Sequence, residues 1–87
     1  MATVLMYTRP YCGFCIQSRM LLKKKGVEFE EIDLDDFPEK RAEMIERSGG
    51  RRTVPQIFIG GEAIGGCDEL FALESAGKLD AMLAAGA

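Results

Sequence analysis

The chain contains no histidine, no tryptophan and only three cysteines. Without histidine there is no Ser-His or Cys-His catalytic pair, and most zinc-site patterns are excluded as well. Three cysteines are an odd number and too few for a disulfide framework, so an ordinary apolar core has to hold the fold. No apolar run approaches the ~18 residues that cross a bilayer. Internal repeats, low-complexity segments and linkers are also missing. Net positive charge is missing: the chain carries -3, which argues against nucleic acid held by a general positive field. The apolar stretch from Met1 to Tyr7 has no basic segment before it and no small-residue cleavage site after it. It reads as a first strand rather than a signal peptide, so the expected location is cytoplasmic, where thiols stay reduced.

What is present is the material of a small globular protein. The 87 residues, 47% of them apolar, are expected to form a single domain over 1–87. Val4 to Thr8 is a short apolar run of the kind found in a doubly covered strand. Gly13 to Lys25 carries helical spacing, with basic residues near its end and Gly26 as a stop. Val27 to Ile32 alternates apolar and polar residues and predicts a strand. Pro38 suits the first turn of a second helix that runs to Ser48. Gln56–Ile59 and Glu62–Ile64 flank Gly60-Gly61 as a β-hairpin. Asp68 to Ala76 predicts a third helix, and Leu79, Met82 and Leu83 a last helical turn or two. The order β-α-β-α-β-β-α, with that helical tail, predicts an α/β fold with a four-stranded mixed sheet flanked by helices.

The chemistry lies in Cys12-Gly13-Phe14-Cys15. Two cysteines three residues apart, after a strand and at the start of a helix, lie on one helical face and can meet. Unpaired N–H groups and the positive end of the helix dipole favour a thiolate there, and the thiolate is the reactive form. Cys12 should be the exposed sulfur and Cys15 the shielded one. Arg9, three residues earlier, offers a positive charge. A closed zinc site would need four ligands, more than this chain's cysteines supply. A C-x-x-C beside a β-α-β pattern reads as redox-active.

At this point the chain resembles the glutaredoxin family, in its bacterial glutaredoxin 3 type. Tyr7-Thr8-Arg9, the Cys12/Cys15 pair, Glu43-Met44-Ile45, Ser48-Gly49, Thr53 to Ile59 and Gly65 to Leu70 carry the resemblance, which spans residue 4 to about residue 83. It implies a thioredoxin-like fold, an oxidoreductase, and glutathione as co-substrate. One departure stands out. Gly13-Phe14 replaces the usual Pro-Tyr of dithiol members, while the monothiol members with Gly-Phe carry Ser where this chain has Cys15. Those members also have an insertion before the active site and a later Trp-Pro pair, both missing here. The chain reads as a dithiol enzyme with an altered turn.

The resemblance also implies a glutathione groove. Thr53-Val54-Pro55 resembles the loop whose peptide bond before proline is cis, presenting the Val54 backbone to the ligand's cysteine. Gly66, Cys67 and Asp68 precede a helix whose free N–H groups would take the γ-glutamyl carboxylate, with the Asp68 carboxylate on its ammonium. Arg9 is the first choice for the glycyl carboxylate, with Arg51, Arg52 and Gln56 as further candidates, and Phe14 offers an apolar edge. Cys67 is expected to be a partly buried thiol outside the chemistry, and Tyr7 a core residue.

The expected activity is reduction of glutathione mixed disulfides and protein disulfides, with Cys12 as nucleophile and Cys15 as resolving thiol. It needs no tightly bound cofactor and no metal, involves no membrane, and suits a monomer. Two alternatives differ in class. One is an iron-sulfur carrier in which Cys12 ligates a [2Fe-2S] cluster shared by a dimer, with glutathione completing the coordination. The other is a thioredoxin-like reductant supplied by a flavoenzyme.

Overall fold

The computed structural model describes residues 2–85, so Met1, Gly86 and Ala87 of the expected domain lie outside the described residues. Its elements follow the order β1 Val4–Thr8, α1 Gly13–Lys24, β2 Glu30–Asp33, α2 Lys40–Arg47, β3 Gln56–Ile59, β4 Glu62–Gly65, α3 Cys67–Ser75 and α4 Leu79–Ala84. The strands make one sheet in the order β2-β1-β3-β4, with β1 parallel to β2 and antiparallel to β3. The sheet is therefore mixed and flanked by helices, as the pattern of elements required.

Strand periodicity divides the core in two. Because successive side chains point to opposite faces, Val4, Met6, Ile57 and Ile59 pack with Leu21, Leu22, Leu70, Leu79 and Leu83 of α1, α3 and α4. Tyr7 and Phe58 turn the other way and join Leu34 and Met44 beneath α2. The two rings meet edge to face, with centroids 5.6 Å apart, a favoured aromatic geometry. The Tyr7 hydroxyl donates to Glu43 and accepts from Arg47 Nη1 at 3.2 Å, while the Arg47 guanidinium lies 4.6 Å from the Phe58 centroid. These contacts tie α2 to the central strands. Tyr7 is thus a core residue, wholly buried.

Three elements start elsewhere than the sequence predicts. β2 starts at Glu30 rather than Val27, because the chain leaving α1 finds a strand partner only where Leu5 faces Glu30. Val27 is instead buried in the core behind the helix end, which explains its apolar character without strand pairing. Pro38 lies ahead of α2, in tight turns closed by Lys40 N–H to the Phe37 carbonyl and Arg41 N–H to the Pro38 carbonyl. α3 opens one residue early, with Gly66 as its N-cap. Gly60 and Gly61 both have positive φ and close the β3-β4 hairpin, the backbone that its tight turn demands.

Candidate functional site

At the end of β1 the chain turns through Arg9, Pro10 and Tyr11 into α1. Tyr11 has φ +59°, uncommon for a residue with a side chain, and is fully exposed. That turn sets Cys12 as the N-cap of α1, where its sulfur accepts the Cys15 N–H at 3.3 Å. The sulfur thus satisfies one of the orphan donors of the first turn. It also faces the Val54 carbonyl at 3.9 Å.

The two sulfurs see different surroundings. Cys12 is half-buried, whereas Cys15 has 0% exposure. Burial pushes the Cys15 thiol up to about 12, with a hydrogen bond to the Cys12 sulfur acting the same way. The Arg9 backbone and the Arg19 charge oppose that rise. Arg19 is held in place by Glu31, through Nε at 2.9 Å and Nη2 at 2.6 Å, and Thr8 donates to the same carboxylate. At neutral pH Cys15 is therefore a protonated thiol. One sulfur is open to a disulfide from outside, and the other is reached only by its neighbour.

Beside Cys12 lies a cavity of about 260 Å³. Phe14, 59% exposed, forms one edge; the Thr53-Val54-Pro55 loop forms a wall; Gly66 to Glu69 at the start of α3 and the Arg51 side chain close the far side. The Val54–Pro55 peptide bond is cis. Gln56 is buried and donates from Nε2 to the Thr53 carbonyl at 2.9 Å and to its hydroxyl at 3.2 Å, so it shapes the loop from behind. Among the described residues, the N–H groups of Cys67 and Asp68 have no acceptor. Cys67 is buried, with its sulfur 3.9 Å from Gln17 Oε1.

The structure gathers Phe14, Thr53, Val54, Pro55, Gly66, Cys67 and Asp68 around this hollow, and Cys12 adjoins it through its contact with Val54. It does not bring Arg9 or Arg52 into the lining. Arg9 Nε pairs with Asp35 at 3.1 Å. The Arg52 carbonyl accepts from Arg41. The arginine in the wall is Arg51, whose Nη1 lies 2.6 Å from Glu69 Oε1. The same oxygen accepts the Gly66 N–H at 2.8 Å. Glu69 was not among the residues expected at the site. Its signal was available, since an acidic residue three positions after an N-cap is half of a capping box.

Gly65 makes this arrangement possible. It has φ +106°, and a Cβ there would overlap the Glu69 carboxylate and lie 2.6 Å from Arg51 Nη1. Among the described residues no group of three or more His, Cys, Asp or Glu side chains is placed to hold a metal ion. No helix among them is long and apolar enough to cross a membrane.

The glutaredoxin family model matches residues 4–64, a span that includes both sulfurs and the cis-proline loop. The chain belongs to the glutaredoxin family. It is 54% identical to the glutaredoxin of Pseudomonas aeruginosa over 85 residues, covering 98% of this chain and 100% of that protein. With glutaredoxin 3 of Escherichia coli it shares 52% identity over 83 residues, 95% of this chain and 99% of the other. Its backbone matches a buckwheat glutaredoxin solved in complex with glutathione, with TM-score 0.85 and 35% identity over 94% of this chain and 76% of that one. As a glutaredoxin with a thioredoxin-like fold, the protein is a thiol-disulfide oxidoreductase.

Proposed function

We propose that the protein uses glutathione to reduce glutathione mixed disulfides and protein disulfides, with Cys12 as nucleophile and Cys15 as resolving thiol. The observation that carries this reading is the placement of the Cys12 sulfur. It accepts the Cys15 N–H and faces the carbonyl of Val54, a residue of the cavity wall, while Cys15 lies fully buried.

In this reading the ligand's cysteinyl backbone pairs with the Val54 backbone, which makes recognition independent of the valine side chain. One ligand carboxylate lies against the Cys67 and Asp68 N–H groups at the start of α3, and the Asp68 carboxylate takes the ammonium. Thr53, Pro55 and Gly66 shape the groove, Phe14 covers its edge, and Arg51, a further candidate beside the first choice Arg9, supplies the cation. The Cys12 thiolate attacks the glutathionyl sulfur of a mixed disulfide. A Cys12–glutathione disulfide forms, and the substrate thiolate leaves and takes up a proton. A second glutathione, as thiolate, then attacks the glutathionyl sulfur, releasing oxidised glutathione and regenerating the Cys12 thiolate. On a protein disulfide Cys12 forms the mixed disulfide, and Cys15 loses its proton as it displaces the reduced product. The resulting Cys12–Cys15 disulfide is reopened by glutathione. The exchange needs one copy of the chain and suits the reducing cytoplasm. A cluster shared by two copies would draw only Cys12 from each.

The test is glutathione-dependent reduction of a model mixed disulfide by the wild type, Cys12→Ser and Cys15→Ser. Loss in Cys12→Ser with activity retained in Cys15→Ser supports both roles. A wild type inactive with glutathione, yet coloured and iron-bearing after anaerobic reconstitution, would overturn the reading in favour of the cluster carrier.

A further inference from the structure

The cavity contains an internal anion. Glu69 Oε1 accepts the Gly66 N–H at 2.8 Å and lies 2.6 Å from Arg51 Nη1. A carboxylate of the chain itself thus holds the one cation in the described lining, at the helix N-terminus where a bound anion would lie. The Gly66 N–H and Arg51 both keep the Glu69 carboxyl below the usual carboxylate range, so it is ionised at neutral pH. The pair is half-exposed, with side-chain exposures of 45% and 40%, and such pairs are weak enough to exchange partners. Gly65 leaves room for both side chains directly above its Cα.

We propose that Glu69 is an intramolecular competitor for Arg51 that sets the affinity of the cavity for the carboxylates of glutathione. A ligand carboxylate entering the cavity takes Arg51 over from Glu69, which keeps its bond to the Gly66 N–H and so stays at the helix cap. Binding is an exchange of one carboxylate for another on the same guanidinium, not the capture of a free cation. The net gain is the difference between two charge-assisted contacts, and Glu69 thereby weakens binding. Polyanionic molecules that cannot also pair with the Val54 backbone gain too little to displace it. Glu69 acts here as a specificity-determining residue and takes no part in the sulfur chemistry. The inference rests on glutathione being the ligand of this cavity.

The experiment measures, by calorimetry, the binding of S-methylglutathione, which cannot react, to the wild type, Glu69→Gln, Arg51→Gln and the double variant. Glutamine keeps an oxygen for the Gly66 N–H, so the helix cap survives while the charge on Arg51 is released. The expected result is about threefold tighter binding for Glu69→Gln and at least about threefold weaker binding for Arg51→Gln. The double variant should match Arg51→Gln, because the gain exists only while Arg51 is present. Glu69→Asp, one methylene too short to cap and reach Arg51 together, should shift binding in the same direction as Glu69→Gln. Unchanged or weaker binding in both Glu69 variants overturns the competition, as does a gain that persists in the double variant. A wild type that binds no S-methylglutathione overturns the glutathione reading itself, and the competition with it.

Discussion

The Cys15 N–H donates to the Cys12 sulfur at 3.3 Å, while the Cys15 sulfur is itself sealed from solvent in the same helical turn. A backbone group of Cys15 thus points at the Cys12 sulfur, while the Cys15 side chain turns into the core. The difference in exposure between the two sulfurs needs only one turn of helix and the burial of one of its faces.

Alkylation should separate the two sulfurs. In the reduced protein at pH 7 to 9, iodoacetamide is expected to label Cys12 and leave Cys15 unmodified, because burial holds the Cys15 thiol up to about 12. Peptide mass spectrometry checks this, and equal labelling of both would contradict it. The same shift has a stability consequence. The folded thiol ionises near 12 and the unfolded one near 9.0, so the stability is fully present below pH 9 and is lost as pH rises toward 12. Urea midpoints of Cys15→Ala should therefore fall less steeply over that range than those of the wild type.

The Arg19–Glu31 pair should make the protein sensitive to acid. Hydrogen bonding to Arg19 holds the Glu31 carboxyl below the usual range, with Thr8 helping. Its contribution is present above the unfolded carboxylate value of about 4.3 and fades as pH falls through the lower folded value. Glu31→Gln is expected to cost about 0.5–1 kcal/mol at pH 7, the scale of a partly exposed pair, and to show a smaller loss between pH 5 and 3. Denaturant titrations across that range decide it; parallel curves would show that the pair is uncoupled from folding.

Tyr7→Phe removes a buried hydroxyl that bridges Glu43 and Arg47. The expected loss is about 1–2 kcal/mol, since both partners are charged and α2 loses one of its ties to the central strands. Urea unfolding measures it. Ligand affinity should be unchanged, because Tyr7 lies in the α2-side core and the cavity is lined by other elements.

Two glycines should respond oppositely to alanine. A Cβ at Gly13 meets nothing within 4 Å and its φ is ordinary, so Gly13→Ala should stabilise by about 0.4–1 kcal/mol through the unfolded chain. Gly65→Ala faces both a positive φ and the Arg51–Glu69 pair, and should destabilise by about 1–3 kcal/mol. Thermal melts compare them, and similar melting temperatures would refute the contrast.

Much of this molecule was legible in its residues. The apolar run of Val4 to Thr8, the Gly60-Gly61 hairpin and the cysteine spacing are local patterns, and the backbone realises them within a residue or two. The expected strand from Val27 was misjudged because alternation reports burial, and Val27 is buried by the core without pairing in the sheet. The opening of α2 was placed early because Pro38 suits a tight turn as well as a first helical turn.

By itself the sequence determined the order of elements, the mixed sheet and the two sulfurs on one helical face, because periodicity and spacing act over a few residues. Tertiary structure alone decided which arginine reaches the cavity. Arg51 and Arg52 are neighbours in one loop, yet only Arg51 meets Glu69 of α3, while Arg9 is drawn to Asp35. A long side chain takes its partner from whatever the folded backbone brings within reach, and these partners lie 18 and 26 residues away along the chain. That proximity is a product of packing and leaves no local trace in composition or spacing.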